Sequence, residues 1–593
     1  MNLFEEMKPF IGIVFCVFSI LPSRIFAKDQ NWTTYCESTD FRRTPRYKET
    51  IHFCKQLAEN SHIIAYEEFG ISPQGRALPL LIMDKDRNFS PELARRAGKA
   101  ILMIQACIHP GEPEGKDAGL ILFRNLGILG MDISLLRHVT LVFIPIFNVD
   151  GHERFSPYHR INQNGPEEMG WRTTAQNLNL NRDFMKADAP EMQAWLRLFN
   201  YWNPDFFVDT HTTDGADYQY VLTYSLETGP NTDSSLGKYL RENYIPTMEA
   251  YMSEKGYKVF PYVNFKQWHD PRSALYSLPA SAMLSHGYVA ARNRPALLIE
   301  THMLKPYKLR VSSTLELLFF TLKHLNDHYR DYLQINRQAD TYTSSADFRP
   351  FPLKFNFITS NTDSVMVDFE GYDYRIEKSD LTGGNWFIYL PRPKTFRLPN
   401  FNHAIAQDSI LLPDYYIIPP EWTTIIERLR LHGIEMNFLT YDTILKVESY
   451  RFSNPQWANF PFEGRNRLSV KTEKYVERRA YPAGSALISL QQPTARIIAL
   501  LLEPQSSDSF LTWGFFNAIF EQKEYAETYV MEKIARQMIE KRPDLLPQFQ
   551  AWKEKNPQMD KDQWMQLNWF YQHSPYFDQN LNKYPVGRIF LYQ

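Results

Sequence analysis

Between residues 40 and 335 short apolar runs alternate with amphipathic stretches. Residues 100–107 (AILMIQAC), 139–147 (VTLVFIPIF), 206–210 (FFVDT) and 296–300 (ALLIE) are apolar runs of strand length, and each reads as a buried strand. Between them, residues 113–126 carry Ala118, Leu120, Ile121, Leu122 and Leu126 in a helical pattern. Asp188 and Glu191 form a capping-box pattern that opens a helix through Trp202, and a long helix is predicted from about Ser313 to Tyr332. Buried strands alternating with helices predict an α/β fold with a mixed, largely parallel sheet covered by helices on both faces.

The pattern changes after residue 338. Residues 339–350 (ADTYTSSADFRP) are polar and aperiodic and read as a linker. Short β-like segments follow at 365–369, 386–390 and 415–418, with a helix over 421–431 and another apolar run at 496–502 (RIIALLL). The expected organisation is a first α/β domain over 28–338, the linker, a β-rich accessory domain over 351–502, and a helical, aromatic-rich region over 503–593. No internal repeat or low-complexity tract interrupts it.

Composition narrows the function. A chain of 593 residues exceeds one ordinary core, which agrees with two or three domains. A net charge of -2 without a long basic run argues against a nucleic-acid partner. Residues 11–21 (IGIVFCVFSIL) are too short to span a bilayer comfortably and are followed by Pro22, Ser23 and Ala27. That arrangement reads as a signal peptide over residues 1–27, giving a secreted or periplasmic mature chain with no membrane span. Glu5 and Glu6 depart from the positive start such signals carry. Beyond Cys16 the cysteines are Cys36, Cys54 and Cys107, an odd count that excludes a full disulfide framework and leaves a Cys36–Cys54 pair open. With no cysteine-rich zinc pattern, a metal site must be built from histidine and carboxylate.

Such groups stand where the strands end. His109-Pro110-Gly111-Glu112 follows the first strand, His211 closes the third, and Glu300 ends ALLIE. Each feature alone is weak: H-x-x-E pairs are common by chance, a strand-end histidine is often only hydrogen-bonded, and a carboxylate there is often half of an ion pair. Together they gain weight, because open α/β sheets bind ligands beyond the carboxyl ends of their strands. Two histidines and one glutamate leave one zinc ion an open position for water, and the remaining carboxylate, Glu300, can take that water's proton. Between them lie Trp171-Arg172 and Asn177-Leu-Asn-Leu-Asn181-Arg182-Asp183. An arginine fork paired with an asparagine suits a substrate's terminal carboxylate, and a second arginine suits a developing oxyanion. An exposed ion pair is the commoner fate of such arginines.

In this order the residues resemble the zinc metallocarboxypeptidases of the carboxypeptidase A/B type, over roughly residues 45–335. The resemblance implies zinc on His109, Glu112 and His211, Glu300 as base and then acid, and Arg172 polarising the scissile carbonyl. It implies Asn181 and Arg182 on the C-terminal carboxylate, and a substrate tyrosine for which Tyr288 and Tyr276 are candidates. Asn179 stands where many members carry the aspartate that orients the first histidine. The strip 293–307 (NRPALLIETHMLKPY) and the tail motifs Trp513-Gly-Phe-Phe516 and Tyr584-Pro-Val586 are similar to a bacterial secreted branch with a C-terminal extension. The resemblance implies a peptide or amide substrate with a free carboxylate. A zinc amide hydrolase for non-protein substrates, such as a peptidoglycan stem or an acyl-amino acid, and a non-catalytic binding protein on the same fold are the alternatives.

Overall fold

The apolar runs become the middle of an eight-stranded sheet. Its strands are β1 (Ile64–Ile71), β2 (Ala77–Met83), β3 (Ala100–Gln105), β4 (Val139–Ile144), β5 (Phe206–Thr213), β6 (Leu222–Leu226), β7 (Val259–Pro261) and, beyond the short β8 (Leu275–Tyr276) of another sheet, β9 (Ala296–His302). This computed structural model describes residues 32–277, 279–357 and 364–591; the expected signal peptide lies outside the described residues. The spatial order is β1-β2-β4-β3-β5-β9-β6-β7. Strands β4, β3, β5 and β9 run parallel to one another, while β1, β2 and β6 supply the antiparallel pairings. Every residue of β3, β4 and β5 is buried, so both faces of the sheet are covered, as a parallel sheet requires.

That topology sends β3, β5 and β9 out of the sheet side by side at one edge. The register pairs Gln105 with Asp209, and His211 with Glu300. Helix Glu114–Gly127 begins directly after the H-x-x-E turn and packs against β5. The approach is close at Gly115, where a Cβ would lie 1.8 Å from Thr210 Oγ1, next door to His211.

Several helices differ from expectation. The long helix predicted to end near Tyr332 is two helices, Tyr307–Asp327 and Tyr329–Thr343, joined at His328. The second runs into the expected linker because its polar residues have partners: Arg294 grips Asp340 with both terminal nitrogens at 2.9 and 2.8 Å, and Asn293 bonds Thr343. The capping box at Asp188 and Glu191 does not form. Helix Pro190–Trp202 starts without a side-chain cap, and Asp188 instead pairs with Arg465 at 2.6 and 2.7 Å. The apolar run 496–502 is a buried helix, Ala495–Leu502, a case that hydrophobic continuity alone cannot separate from a buried strand.

The C-terminal part contains β10 (Phe351–Phe357), β11 (Val365–Lys378), β12 (Asn385–Phe401), β13 (Ala404–Ile410), β14 (Tyr415–Ile418), β15 (Asn437–Phe438), β16 (Thr443–Trp457), β17 (Leu468–Tyr481) and β18 (Ala486–Ser489). Helices Thr528–Lys541, Leu545–Lys555 and Gln563–Gln572 follow. A last strand, β19 (Gly587–Ile589), returns from the region expected to be helical and inserts between β14 and β16. Trp195, Phe199 and Tyr288 share one hydrophobic core with Leu429, Ile498 and Phe510, so no core boundary falls near residue 350. Cys36, Cys54 and Cys107 are buried free thiols, and Cys36 and Cys54 are not bonded to each other. Among the described residues, no helix is long and apolar enough to cross a membrane.

Two features invite measurement. Gly115→Ala forces a methyl group into Thr210 and is expected to cost ~1–3 kcal/mol in urea unfolding, with reduced zinc content because β5 must shift. Just past β6, the buried carboxyl of Glu227 accepts the Ala280 N–H, and burial pushes it up from 4.5 to about 7. The folded chain therefore holds a proton that the unfolded chain releases, and stability is lost as pH rises from about 4.5 to about 7. Glu227→Gln should gain on the parent protein across that window by on the order of 3 kcal/mol, read as the difference in urea midpoints at pH 5 and pH 8.

Candidate metal centre

Beyond β3 the chain turns through Cys107, whose φ of 56° lies in the left-handed region, and presents His109. The turn closes where the Glu112 N–H donates to the His109 carbonyl at 2.9 Å. Gln163 Nε2 braces it by donating to the Gly111 carbonyl at 2.8 Å. His211 arrives on β5. The side chains of His109, Glu112 and His211 are buried, and one donor atom from each falls within 4.8 Å of the others.

Both histidines turn Nδ1 toward Glu112, which also accepts the Thr212 N–H. Their far nitrogens have acceptors of their own: His109 Nε2 lies 3.0 Å from Asn179 Oδ1, and His211 Nε2 lies 2.9 Å from Asp209 Oδ2. An acceptor on Nε2 keeps the proton there and leaves the Nδ1 lone pair free for a metal. Two such imidazoles and one carboxylate fit zinc with an open coordination position.

The electrostatics suit the same reading. Burial pushes His109 down to about 4, so its ring is neutral at ordinary pH. Burial would also lower His211, but the Asp209 carboxylate outweighs it and holds the ring well above its usual value. A cation bound at its Nδ1 must therefore displace a proton. Burial opposes ionisation of Glu112, yet His109 and Arg160 keep it well below the usual carboxylate range.

Residues 50–269 match the family described as zinc carboxypeptidase, a span that includes His109, Glu112 and His211 and stops before Glu300. Over that span the chain is similar to the zinc carboxypeptidases. Carboxypeptidase 2 of Trichophyton rubrum is 23% identical over 494 residues, 79% of this chain and 84% of that one. Carboxypeptidase 2 of Trichophyton equinum is 22% identical over the same shares. Among solved structures, a metallo-carboxypeptidase from Burkholderia cenocepacia is 18% identical, covering 47% of this chain and 69% of that chain with a TM-score of 0.36.

Around the three candidate metal ligands, Glu300 stands beside His211 on the adjacent parallel strand. Burial, with the charges of Glu112 and Asp209, pushes it up to about 8 against the pull of His211 and Arg172. Arg172 is partly exposed, with Nη1 3.4 Å from Glu112 Oε1. Asn181 and Arg182 sit on a short helical turn, Leu180–Arg182. The Asn181 carbonyl Oδ1 accepts the Ser285 N–H at 2.9 Å, and Arg182 lies within the field of Arg172, Glu463 and Glu300.

Tyr288 is not brought to the site. It is fully buried against Phe184, Trp195 and Phe199, and its hydroxyl bonds His432 Nδ1 at 3.0 Å. Helix Ser285–Ala291 is buried on every side, so the sequence offered no polar face to show which way Tyr288 points. Tyr276, on β8, pairs with Phe401 in a separate sheet. Two tyrosines lie in the field of Glu300: Tyr218, fully buried beside His302, and Tyr262, just past β7, whose hydroxyl burial and the Glu300 charge push above its usual range. Three more residues escaped the sequence reading. Arg160 Nη2 lies 3.0 Å from Glu112 Oε1, Asp209 orients His211, and Glu463 of the C-terminal part accepts the Asn179 N–H at 3.0 Å. Only Asp209 had a local signal, since residues two apart on a strand share a face.

Asp209→Asn removes the charge behind His211 and is expected to weaken zinc binding ~10–100-fold, measured by competition with a chromogenic chelator.

Proposed function

We propose that this chain is a zinc carboxypeptidase that removes the C-terminal residue of a peptide, holding the free carboxylate with Asn181 and Arg182. The register that sets Glu300 beside His211 is the observation that carries the reading, because it puts an unspent carboxylate next to the metal ligands. Zinc on His109, Glu112 and His211 would supply a Lewis acid for the scissile carbonyl and acidify water.

The chain's own groups do the rest. Arg182 donates its guanidinium fork to the substrate carboxylate, and the Asn181 amide donates beside it. That contact fixes the last peptide bond at the strand ends. Glu300 takes a proton from the attacking water and later gives it to the leaving amine. Arg172 faces the oxygen on which negative charge develops. Tyr262, rather than Tyr288, is the tyrosine available to close over the bound residue. The similar fungal proteins, both named carboxypeptidase 2, support the exopeptidase reading. We also propose that residues 1–27 direct the chain out of the cytoplasm. The strip 293–307 supports a place in a bacterial secreted branch.

The test pairs two measurements. Glu300→Gln should keep stoichiometric zinc while kcat falls ~10²–10⁴-fold, and unchanged turnover would remove Glu300 from the mechanism. Peptides with a free C-terminus should be cleaved far faster than their C-terminal amides, and Arg182→Met should erase that preference. Equal cleavage of acid and amide would replace this reading with a general amide hydrolase.

A further inference from the structure

A cavity of about 260 Å³ lies at the seam between the zinc-bearing part of the chain and its extension. Ala280, Gly287 and Ala291 line it from the first, and Leu353, Arg496 and Asp508 from the second. Two of these residues belong to helix Ser285–Ala291, whose first N–H donates to Asn181. Nothing in the proposed peptidase chemistry uses this space.

Its unusual member is Arg496. Among the described residues four arginines are buried: Arg294, Arg310, Arg496 and Arg588. Three are neutralised. Arg294 pairs with Asp340, Arg310 with Glu114 at 2.7 Å, and Arg588 with Glu448 and Glu503. Arg496, 6% exposed, has no such pair among the described residues. Its Nε is buried without a hydrogen-bond partner, and its guanidinium lies over the Phe348 ring at 4.8 Å. Asp233 is the carboxylate whose charge it feels most, but that side chain is engaged at the N–H groups of Ser235 and Leu236. A buried, unpaired cation is costly, and it persists in a fold when something else supplies the counter-charge.

We propose that the cavity binds a small organic carboxylate, with the carboxylate on the Arg496 guanidinium and the remainder against the apolar wall. The volume lies just below the ~300–1,000 Å³ of drug-sized ligand sites and suits a molecule about as large as one amino acid. Of the two cations that line the space, Lys354 is already paired with Asp408 at 3.7 Å, which leaves the Arg496 guanidinium to balance one negative charge. Asp508, itself lining the space and accepting the Ser281 hydroxyl at 2.6 Å, disfavours a second. That favours a monoanionic carboxylate over phosphate. The helix shared with Asn181 means that an occupant would press on an element of the zinc edge.

The experiment uses the full, zinc-loaded chain, with N-acetylalanine, acetate and inorganic phosphate titrated by calorimetry into the parent protein and Arg496→Leu. N-acetylalanine should show at least one saturable site that Arg496→Leu weakens tenfold or more and Arg496→Lys weakens less. Acetate should compete for it and phosphate should not. Sites unchanged in number and affinity in Arg496→Leu would overturn the proposal, and a preference for phosphate would overturn the carboxylate assignment. Ligand-free Arg496→Leu should melt no lower than the parent, because it removes an unpaired buried charge. A fall of several degrees would show that the fold itself uses the guanidinium, and would also overturn the proposal.

Discussion

The carboxylate of Glu112 organises the zinc edge. It is a buried anion, and a buried anion survives only beside cations or donors that replace water. The Thr212 N–H and the Arg160 guanidinium meet it from separate segments, and two imidazoles face it across the position a metal would fill. Each imidazole is in turn held from behind, by Asn179 or by Asp209. Satisfying this one group therefore fixes the turn after β3, the end of β5 and the crossing of the 160–172 segment. Parallel neighbours β3, β5 and β9 make that possible, because their carboxyl ends emerge together.

The C-terminal extension is bound into the same arrangement. Glu463 holds the backbone of Asn179, the residue behind His109, and Arg465 holds Asp188 just before helix Pro190–Trp202. Apolar residues of both parts fill one core. The orientation of the first zinc ligand thus depends, through Asn179, on a carboxylate 284 positions beyond that asparagine. An accessory module joined by a flexible tether could not hold a hydrogen bond of this kind in register, since tether freedom would compete with it.

Much of this was legible in the sequence, for identifiable reasons. Strands buried on both faces must be continuous apolar runs, so 100–107, 139–147, 206–210 and 296–300 stood out, and the polar groups at their ends marked the edge where His109, Glu112, His211 and Glu300 gather. What was not legible lacked a local pattern. Tyr288 sits in a helix buried all round, where periodicity points nowhere. The run 496–502 is equally apolar as strand or helix. Residues 339–343 look like a tether because they are polar, yet Asp340 is consumed by Arg294 and Thr343 by Asn293. Glu463 and Arg160 reach the site only through tertiary folding. An arginine in a polar stretch carries no mark of the buried carboxylate it will meet.

Charge pairing separates the parts of this molecule that hold the fold from those that act on something else. Lys99 with Asp84, Lys186 with Asp183, and Arg310 with Glu114 are closed pairs, each buried charge cancelled by a neighbour within the chain. At the zinc edge the balance is open. Glu112, Asp209 and Glu300 crowd together until burial and mutual repulsion push Glu300 far above an ordinary glutamate, and a divalent cation is what such a cluster lacks. At the seam the imbalance has the opposite sign: among the described residues the Arg496 guanidinium forms no ion pair, although Asp508 lines the same cavity. A fold selected for stability alone gains by closing each of these gaps with hydrophobic residues. Their presence at two separate places, with opposite signs, argues that each was kept for a charge brought from outside: a metal cation in one case and a carboxylate in the other.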